Sequence, residues 1–512
     1  MKVISIGTDR KIFENGSAAR QRMVEYGHLF GELHIVIFTL KDLNIIEEKI
    51  SENVFIYPTN SSNRAAYIFD AYKISKNILS GKSFDSVVSA QDPFETGLVG
   101  MLLKLRFGLP LHVQIHTDFL NKHFLKHSPL NMIRVLLAHM IIPFADRVRV
   151  VSKKIKDSVV ELSSDSKIDL LPIYVSTEAR PDNAQKNDEL TILTISRLEK
   201  EKGVDVGIRA FAKMIQEGIK ARYLIVGDGS QRKALEDLAK ELRVDKYIDF
   251  VGWQNELAPF YSKSHIYLST SLYEGYGMTL VEAASYGLAL VMTNTGLAGD
   301  FFVHEQSALV CEVKDDKSIA DALTRLAKDE VVRGELGRKA LQAVSERSKT
   351  WEKYLESYKN SIELSSQGFK RQSFARRIWQ LVSNVINHNK IIRYLIGGTT
   401  VAITQIFLLF AFTEYVGLWY LFSSMLSVCY AIVASFLAQK LWVFRDKDTS
   451  GAFRQFIQFV ILTITDTVIN IISMYFWVDI VGFWYIPSQL LTGFVIMFIN
   501  FTVYKIIIFK KN

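Results

Sequence analysis

An α/β protein is predicted, with two doubly wound, Rossmann-like domains followed by an all-α membrane domain of four transmembrane helices. Over residues 1–365 of the 512, apolar runs of strand length alternate with amphipathic runs of helix length. This alternation is typical of a parallel sheet with helices on both faces. The pattern stops at a polar stretch, Glu178–Glu189, and then restarts, which indicates a second domain of the same kind. From about residue 391 the chain becomes a series of long apolar runs, each approaching the length that crosses a bilayer.

The first domain is predicted over residues 1–180 and the second over residues 187–345. The strands of the first are Val3–Gly7, Leu33–Phe38, Val54–Tyr57, Ser86–Ala90, Leu111–His116, Val148–Val151 and Ile168–Leu171, and its helices are Ala18–Phe30, Ala65–Leu79, Glu95–Phe107 and Leu130–Phe144. The strands of the second are Leu190–Ser196, Tyr223–Val226, Ile248–Phe250, Ile266–Ser269 and Ala289–Met292, and its helices are Gly207–Glu217, Gln231–Leu242 and Thr279–Tyr286. A closing helix is predicted within residues 346–365. Two such domains place a ligand cleft at the carboxyl ends of their strands.

Composition narrows the function classes. The two cysteines, Cys311 and Cys429, fall in different regions, so neither a disulfide framework nor a metal cluster is predicted. The net charge of +8 is concentrated beside the apolar runs, so we assign it to membrane topology and anionic lipid and expect no nucleic-acid partner. No Gly-x-Gly-x-x-Gly follows the first strand, which argues against a nicotinamide enzyme. The apolar run at the start of the chain is too short for a signal peptide, so the soluble part is expected in the cytosol.

The most informative motif is a pair of acids, Glu274 and Glu282, separated by a Gly-x-Gly turn that leads into the predicted helix Thr279–Tyr286. A turn of this kind leaves backbone N–H groups at the start of a helix, where the helix dipole favours an anion such as phosphate. Carboxylates on either side can accept hydrogen bonds from sugar hydroxyls. The motif therefore suits a nucleotide-sugar, although an acidic loop before a core helix explains it about equally well when it is taken alone.

Further candidate residues lie at strand ends. Arg197 and Lys202 follow the first strand of the second domain, where two cations could hold a diphosphate, although a solvated charged turn is the alternative. Gly227 forms either a turn that lets a ligand approach the backbone or a plain βα turn. The loop at Gly16 is a candidate phosphate nest at the start of the first long helix. His116 ends a strand and would point into the cleft, although a buried histidine is more often structural.

In this combination and order, these segments resemble the retaining glycosyltransferases of the GT-B family often called group 1 or family 4. The resemblance covers roughly residues 1–365 and rests on six features: Glu274-x7-Glu282, Ser196–Gly203, Val226–Gly229, Phe250–Trp253, His116 and the Gly16 loop. One departure is Asn15-Gly16-Ser17, where two glycines are common in the family.

The resemblance implies GT-B architecture and a role for each matched residue. Arg197 and Lys202 would neutralise the leaving diphosphate, and His116 would lie beside the transferred sugar. Glu282 would hold the ribose hydroxyls, and Glu274 would hold the sugar. The implied donor-binding residues are Gly16, Gly227, Trp253, Gly277, Met278, Thr279, Leu280 and Glu282. The resemblance also implies catalysis without a metal or other cofactor, with retention of the anomeric configuration.

The last quarter of the chain contains four apolar stretches, at about 392–413, 418–443, 455–478 and 484–509, each near the roughly 20 residues that cross a bilayer. Lys and Arg residues cluster before the first stretch, between the second and third, and after the fourth, so both ends of this domain are predicted to be cytosolic. Residues 366–390 are predicted to form a basic amphipathic helix at the cytosolic leaflet, with a plain connector helix packed on the soluble part as the alternative.

An internal repeat is visible in this quarter: Phe436-x3-Lys440-x3-Phe444-Arg445 closes the second stretch and Phe501-x3-Lys505-x3-Phe509-Lys510 closes the fourth. Asp466, with Asn470 one turn later, lies inside the third stretch, where a packing role and a transport role are about equally supported. The string Asp446-Lys447-Asp448 is interpreted as solvated loop charge. Residues 391–512 resemble the GtrA-like family, which is linked to polyprenyl-phosphate sugars, and the membrane-domain polar candidates are Arg393, Lys440, Asp466, Asn470 and Lys505.

The favoured prediction is a membrane-integral glycosyltransferase of cell-surface polysaccharide synthesis, in the cytoplasmic membrane with its catalytic domain in the cytosol. It would pass a sugar from a nucleoside-diphosphate donor to a lipid-borne acceptor, a polyprenyl phosphate or polyprenyl-linked glycan. Membrane lipids are expected partners, and a homo-oligomer through the membrane domain is plausible because four spans are few for a transporter. One alternative is a translocator of lipid-linked sugar whose soluble half loads it. Another is a nucleotide-sugar epimerase, which can share the two-domain cleft.

Overall fold

A computed structural model describes the chain except for residues 81–84, 177–185, 348, 368, 370–372, 389, 447, 449–450, 482–484 and 510–512. The chain divides into two compact units, Met1–Gln380 and Leu381–Asn512. The first unit contains two largely parallel sheets with helices around them, and the second is helical.

The first sheet is built from eight strands around the buried strand β1. The strands are β1 Lys2–Gly7, β2 Glu32–Ile37, β3 Glu48–Ser51, β4 Val54–Pro58, β5 Ser86–Ala90, β6 Leu111–Ile115, β7 Arg147–Val150 and β8 Ile168–Leu170. Their spatial order is β3-β4-β2-β1-β5-β6-β7-β8, and β3 pairs antiparallel with β4 while the other pairings are parallel. The accompanying helices are α1 Ala18–Gly27, α2 Tyr67–Leu79, α3 Glu95–Phe107, α4 Lys122–His127, α5 Pro129–Ile141 and α6 Lys153–Val159.

The second sheet has six parallel strands in the order β11-β10-β9-β12-β13-β14. They are β9 Thr191–Ile195, β10 Arg222–Val226, β11 Ile248–Gly252, β12 Ile266–Ser269, β13 Ala289–Thr293 and β14 Leu309–Cys311. The helices around it are α7 Val204–Gln216, α8 Arg232–Glu241, α9 Ala258–Lys263, α10 Met278–Ser285, α11 Asp316–Lys328 and α12 Glu330–Arg347. Chain order reverses direction between β9 and β12, which makes the carboxyl ends of these two strands the switch point of the sheet.

The closing helix α13, Trp351–Ser366, follows the second sheet in the chain but packs on the first. Its Tyr354, Tyr358 and Ile362 are buried with residues of β1, β2 and β4 in one apolar cluster. Tyr354 OH accepts a hydrogen bond from Arg149 Nη2 at 2.9 Å, and Ser361 Oγ donates to Asp169 Oδ2 at 2.7 Å. The helix therefore ties the end of the soluble unit back to the first sheet.

The predicted strands of both sheets are present, with ends that differ by one or two residues. Several elements were not predicted: the strands β3 and β14, and the helices α4, α6, α9, α11 and α12. Strand β3 is an edge strand whose Glu48 and Lys49 are exposed, so it lacks the buried apolar run that marks the central strands. Helix α7 begins at Val204, earlier than predicted, because Val204 and Val206 belong to its buried face.

The second unit consists of long helices. After α14, Phe374–His388, which covers the boundary between the units, come α15 Lys390–Glu414, α16 Tyr420–Leu437, α17 Ala452–Tyr475 and α18 Tyr485–Val503. Among the described residues, three stretches are long and apolar enough to cross a membrane: Ile392–Phe412, Phe422–Val443 and Ala452–Ser473. The fourth span and the interfacial placement of α14 stay predictions. Trp379 of α14 is 72% exposed, which leaves an apolar face uncovered on this helix.

The internal repeat has a structural counterpart. Helix α16 continues into a π-helical turn at Ala438–Val443 and α18 into one at Tyr504–Ile508, but α17 also ends in such a turn, at Phe476–Ile480, so the turn is not specific to the repeat. The rings of Phe444 and Phe509, which hold corresponding positions in the repeat, stack with centroids 5.1 Å apart. These contacts support two similar two-helix units within the domain.

Candidate active site

A pocket of about 270 Å³ lies at the switch point of the second sheet, where the first sheet also presents a strand end. Its wall combines Arg197 and Lys202, which follow β9, with Glu274, which follows β12. His116, which follows β6 of the first sheet, closes the pocket from the opposite side. The four residues that were predicted to carry the chemistry therefore line one pocket, although they come from distant parts of the chain.

Lys202 and Glu274 form an ion pair in the pocket wall. Lys202 Nζ lies 2.5 Å from Glu274 Oε2, and the two side chains are 18% and 23% exposed. Ser271 Oγ donates to the same carboxylate oxygen at 3.3 Å, and Thr270 Oγ1 donates to the carbonyl of Lys202 at 3.1 Å. These contacts hold the ammonium group at the surface of the pocket, where an anionic ligand would meet it.

Arg197 lines the same pocket and is held more loosely. Its side chain is 64% exposed, and Nη2 donates to Glu201 Oε1 at 2.9 Å. Exposed pairs of this kind contribute little to stability because solvent screens them. The guanidinium can therefore exchange Glu201 for a ligand phosphate at small cost.

The turn before α10 also reaches the pocket. Gly277 caps the helix in a left-handed conformation, with φ of 95°, that only glycine adopts easily. Gly277, Met278 and Thr279 line the pocket, so the positive end of the helix dipole faces it. Leu280 departs from the prediction: its side chain is buried and its N–H donates to the carbonyl of Gly277 at 3.0 Å, so this amide already serves the helix.

Glu282 lies on α10 and is absent from the lining of the pocket that Glu274 faces. Its Oε2 accepts a hydrogen bond of 2.6 Å from Tyr261 OH. Burial, the larger cause, and this carboxylate raise the pKa of Tyr261, so the phenol stays protonated as a donor. A role of Glu282 towards a ribose stays a prediction.

His116 is a neutral residue at the junction of the two sheets. Burial is the main cause that lowers its pKa to about 3, and the positive charge of Arg149 adds to the effect. A Cβ on Gly275 would lie only 1.8 Å from the carbonyl oxygen of His116, so the motif loop passes directly over β6. Glycine at position 275 is what permits this approach between the two halves of the site.

Three other predicted donor residues lie outside the 270 Å³ pocket. Gly16 is in an exposed turn before α1, with φ of 77°. Gly227 packs with its α-carbon against the carbonyl of Ser196, where a Cβ would stand 1.9 Å from the oxygen, so it shapes the turn after β10. Trp253 is 56% exposed, and Lys11 Nζ lies 4.9 Å from the centre of its ring.

In the second unit, Lys440 is buried and fully engaged. Its Nζ donates to Asp446 Oδ2 at 2.8 Å and to Gln455 Oε1 at 2.6 Å, and Gln455 Nε2 donates to the same aspartate oxygen at 2.9 Å. The side chain of Asp446 is 15% exposed. The interpretation of Asp446 as solvated loop charge is therefore wrong, because this carboxylate is the counter-charge of a buried lysine.

The remaining membrane candidates are spread over three helices. Asp466 Oδ2 of α17 accepts a hydrogen bond of 2.6 Å from Asn500 Nδ2 of α18. Asn470 lies one turn further along α17. Arg393, at the start of α15, is buried and donates to the carbonyl of Val443 at 2.7 Å. The side chain of Lys505 lies outside the described part of the chain.

Two family comparisons correspond to these two units. Residues 175–347 match the family described as glycosyl transferases group 1, which covers the second sheet with its helices. Residues 393–509 match the family described as GtrA/DPMS, transmembrane domain. The chain joins a group 1 glycosyltransferase domain to a GtrA/DPMS transmembrane domain.

Relatives of the glycosyltransferase domain match parts of this chain. N-acetyl-alpha-D-glucosaminyl L-malate synthase of Bacillus anthracis is 30% identical over 182 residues, which are 36% of this chain and 47% of the relative. Alpha-monoglucosyldiacylglycerol synthase of Acholeplasma laidlawii is 26% identical over 237 residues, which are 40% of this chain and 58% of the relative. The chain thus spans about half of the length of these two curated relatives.

The fold of the soluble unit is that of solved glycosyltransferase structures. Sucrose-phosphate synthase from Thermosynechococcus elongatus superposes with a TM-score of 0.59 at 18% identity, and the match covers 72% of this chain and 99% of that one. This likeness confirms the predicted GT-B architecture of two Rossmann-like domains, including the first sheet, which lies outside the family match.

A second cavity of about 910 Å³ opens beside the first sheet of the glycosyltransferase and shares His116, Ile173 and Met278 with the smaller pocket. Its lining includes Asp92, which follows β5, and the aromatic side chains of α13. Burial raises the pKa of Asp92 to about 6, although its Oδ1 accepts a hydrogen bond of 2.8 Å from Phe94 N. Sequence reasoning missed this cavity. The signal was available, because Asp92 follows its strand just as His116 follows β6.

Among the described residues, no group of three or more His, Cys, Asp and Glu side chains is arranged to hold a metal ion. Catalysis without a metal stays a prediction.

Proposed function

We propose that this protein transfers a sugar from a nucleoside-diphosphate sugar to a lipid-borne acceptor at the membrane. One observation carries the proposal: in a chain that continues into a GtrA/DPMS transmembrane domain, the glycosyltransferase unit gathers Lys202, Arg197, Glu274 and His116 around one pocket. Two cations with a helix start suit a diphosphate, and the carboxylate and imidazole suit a sugar.

The chemistry that we propose breaks the bond between the anomeric carbon and the oxygen of the diphosphate. Lys202 and Arg197 stabilise the negative charge that develops on the departing diphosphate, and the dipole of α10 adds to this field. The acceptor oxygen attacks from the face that the diphosphate leaves, so the configuration is retained. A glycan hydroxyl that attacks in this way passes its proton to an oxygen of the departing diphosphate, whereas a phosphate acceptor attacks as the anion and has no proton to lose. With two protein cations at the leaving group, the reaction needs no metal ion.

The ion pair between Lys202 and Glu274 has a part in this scheme. At 2.5 Å from the ammonium, the carboxylate fixes the direction of the lysine side chain before the donor arrives. When the diphosphate binds, it takes over the ammonium, and Glu274 turns its acceptor oxygens to the sugar hydroxyls. Neutral His116 offers a hydrogen bond to the sugar without adding a charge beside the anomeric centre.

A lipid acceptor is supported by the second half of the chain and by one relative. In the sequence, the glycosyltransferase unit is followed by the GtrA/DPMS match and by helices that are long and apolar enough to cross a membrane. The name of alpha-monoglucosyldiacylglycerol synthase describes a glucosylated lipid. We therefore propose a polyprenyl phosphate or a polyprenyl-linked glycan as acceptor, with the 910 Å³ cavity as its entrance. The catalytic domain is proposed to face the cytosol, where nucleotide-sugars are made.

A donor screen tests the proposal. The full chain in phosphatidylcholine nanodiscs containing a polyprenyl phosphate is mixed with UDP-, GDP- and other nucleotide-sugars, and nucleotide release is measured with and without EDTA. We expect release with one donor class, dependent on the acceptor lipid and unchanged by EDTA. Free sugar without any acceptor would identify an epimerase or hydrolase instead. No release with any donor, in a protein that still binds UDP or GDP, would contradict the proposal.

A second candidate is translocation of a lipid-linked sugar. The observation in its favour is the hydrogen bond between Asp466 of α17 and Asn500 of α18, where Asn500 Oδ1 has no hydrogen-bond partner among the residues that the structure describes. Polar side chains at this depth are costly and often mark a pathway. Vesicles with the reconstituted full chain and a fluorescent polyprenyl-phosphate sugar give the test. Transfer of the lipid to the far leaflet that Asp466→Asn abolishes would establish transport, and equal transfer in both proteins would exclude a role of Asp466.

A further inference from the structure

Within the described part of the transmembrane domain, Arg393 is a buried cation without a counter-charge. Its side chain is 3% exposed, and no described residue hydrogen-bonds its Nε. The guanidinium donates to two backbone carbonyls, that of Asn387 and, at 2.7 Å, that of Val443. Of the described residues, Arg445 is the charged group that acts on Arg393, and it carries the same sign. A buried charge without an opposite partner is costly, so a ligand that supplies the missing charge would stabilise the domain.

Arg445 brings a second guanidinium to the same place. Its Nη2 donates to Asn387 Oδ1 at 3.2 Å, while Arg393 holds the carbonyl of the same asparagine. Arg445 is exposed, and its backbone is in the left-handed region, with φ of 53°. Strained conformations of non-glycine residues persist where the surroundings require them. Two guanidinium forks that converge without a carboxylate form an arrangement suited to a phosphate group.

Lys440, in the segment Ala438–Val443 whose last carbonyl binds Arg393, is a buried cation that does have a counter-charge. That buried lysine is neutralised by Asp446 at 2.8 Å. The chain therefore supplies an internal acid to one buried cation of this segment and none, within its described part, to Arg393. The difference indicates that the anion for Arg393 comes from outside the chain.

The depth of the two arginines identifies the source of the anion. Arg393 is the second residue of the apolar stretch Ile392–Phe412, and Arg445 follows the end of Phe422–Val443 by two residues. Both therefore stand at the ends of membrane-crossing segments, at the level of lipid headgroups. Large apolar side chains beside them are exposed: Leu395 is 44%, Leu441 56% and Trp442 37% exposed. A ligand with a phosphate head and an apolar tail matches this surface.

We propose that Arg393, Arg445 and Asn387 bind the phosphate group of a membrane lipid, and that a phosphate monoester is preferred over a diester. A monoester carries close to two negative charges, which match two guanidinium groups, whereas a diester carries one. The site lies within the transmembrane domain and needs no nucleotide-sugar. Its existence is therefore independent of the proposed sugar transfer, and lipid binding can be measured without a donor.

The test uses the full chain in phosphatidylcholine nanodiscs and three probes: radiolabelled polyprenyl monophosphate, phosphatidylglycerol and inorganic phosphate. The variants are Arg445→Gln, Arg393→Lys and the matched control Arg454→Gln, which removes an exposed arginine from the start of α17. We expect Arg445→Gln to weaken binding of the monophosphate lipid by about tenfold or more, the loss of one charge-assisted contact. Arg393→Lys keeps the charge but loses the fork, so binding weakens by a smaller factor.

The control Arg454→Gln is expected to bind the monophosphate lipid as the parent does, because Arg454 is not part of the proposed site. A non-specific effect of lost positive charge would instead weaken binding equally in Arg454→Gln and Arg445→Gln, since both arginines are exposed. Arg445 is exposed and gives one hydrogen bond, so its variant should keep the parent's melting temperature. Inorganic phosphate that binds as tightly as the lipid, and is lost in Arg445→Gln, would assign the site to free phosphate. Unchanged lipid binding in Arg445→Gln, or an equal loss in Arg454→Gln, would overturn the proposal.

Discussion

Lys202 and Arg197 differ in how firmly the protein holds them, and this difference gives them different weights in the proposed reaction. Lys202 is mostly buried and is fixed by Glu274, whereas Arg197 is exposed and paired with Glu201. A charge that is pre-oriented in a partly buried pocket stabilises a developing anion more than one that solvent screens. The lysine should therefore contribute more to the rate than the arginine.

Replacement of Lys202 by methionine removes the charge and keeps most of the side-chain volume. We expect the rate of sugar transfer to fall by about 10²–10³-fold, the usual effect of losing one transition-state contact of this kind. Arg197→Met should cost less, on the order of tenfold, because its charge is screened. Steady-state kcat and KM for the donor provide the measurement. Lys200→Met is the matched control, since Lys200 lies two residues away and is absent from the lining of this pocket. A larger loss at position 200 than at 202 would contradict the scheme.

Those pocket residues that directly follow a strand could be predicted from the sequence. Arg197 and Glu274 follow neighbouring parallel strands of the second sheet, whose carboxyl ends meet at one edge, and His116 follows a strand of the first sheet. Glu282 could not be treated in this way. It is the fifth residue of α10, so helix geometry alone directs it away from Glu274 and towards Tyr261 of a neighbouring helix. The ion pair between Lys202 and Glu274 could not be predicted from the sequence either.

At the scale of elements, β6 contains the buried His112 and is followed by the half-buried His116, and burial is the main cause that lowers the pKa of both to about 3. In the unfolded chain they titrate near 6.5, so between pH 6.5 and 3 the unfolded state binds more protons. Their contribution to stability is therefore complete above pH 6.5 and is lost as the pH falls. Asp92 acts in the opposite direction, because a pKa raised to about 6 favours the folded state at low pH. Burial also lowers the pKa of His265 to about 4 and raises the pKa of Asp118, so these three histidines oppose these two carboxyl groups in this unit and the loss on acidification is expected to be the larger effect.

We expect the glycosyltransferase unit to lose stability between pH 7.5 and pH 5, by up to about 1.4 kcal/mol per pH unit for each histidine. Pulse proteolysis of the full chain in urea measures the midpoint of this unit at each pH. His112→Asn should reduce the slope of this pH dependence by the share of one histidine, since the side chain at position 112, between Ser89 and Ser361, no longer titrates. A midpoint that rises on acidification, or a slope that survives in this variant at full size, would show that other groups control acid stability.

The contact between the motif loop and β6 is the second element whose effect can be predicted. Gly275→Ala puts a Cβ 1.8 Å from the carbonyl oxygen of His116, which forces the two strands of backbone apart. Overpacking against backbone costs about 1–3 kcal/mol, and displacing Glu274 and His116 should lower transfer by tenfold or more.

Gly334→Ala is the matched control for this substitution. Gly334 lies in α12 with nothing within 4 Å of its Cβ position, so alanine should stabilise the helix by about 0.5–1 kcal/mol and leave transfer unchanged. Thermal unfolding and transfer rates of both variants are compared in the full chain. Normal activity in Gly275→Ala would show that this close approach does not position the site.

Sequence patterns predicted elements where burial dominates and missed them where it does not. The central strands are rich in apolar residues because both of their faces are covered, although β6 and β7 also bury Gln114 and Arg149, which hydrogen-bond to each other. Helix α11 carried a readable signal, with Asp315 as N-cap and Ile319, Leu323 and Leu326 at helical spacing, although the prediction did not extend to it. The sequence does not indicate which sheet α13 packs on. The spacing of its tyrosines is that of an ordinary amphipathic helix, and only the folded chain shows that Tyr354 contacts Arg149 of the first sheet.

At the scale of the whole molecule, the distribution of Lys and Arg predicts how the chain crosses the membrane. The segment between α16 and α17 contains Arg445 and Lys447, and Arg454 follows in the first turn of α17, whereas the segment around Gly417 has neither Lys nor Arg. Basic loops stay on the cytosolic side. The first of these segments is therefore expected in the cytosol and the second outside, with the glycosyltransferase unit also in the cytosol.

Single cysteines can test this topology with little background. Cys429 is exposed and is replaced by serine, while Cys311 is buried, and burial raises the pKa of its thiol, so it reacts slowly. Tyr415 and Phe453 are 80% and 77% exposed and lie on either side of the predicted membrane. In intact cells a charged maleimide should label Tyr415→Cys at once and Phe453→Cys only after permeabilisation. The reverse order of labelling would mean that the whole domain is inverted in the membrane. The glycosyltransferase unit would then lie outside the cell, where nucleotide-sugars are scarce, and the proposed topology would be wrong. Labelling of both cysteines from outside would mean that one of the described apolar helices does not cross the bilayer.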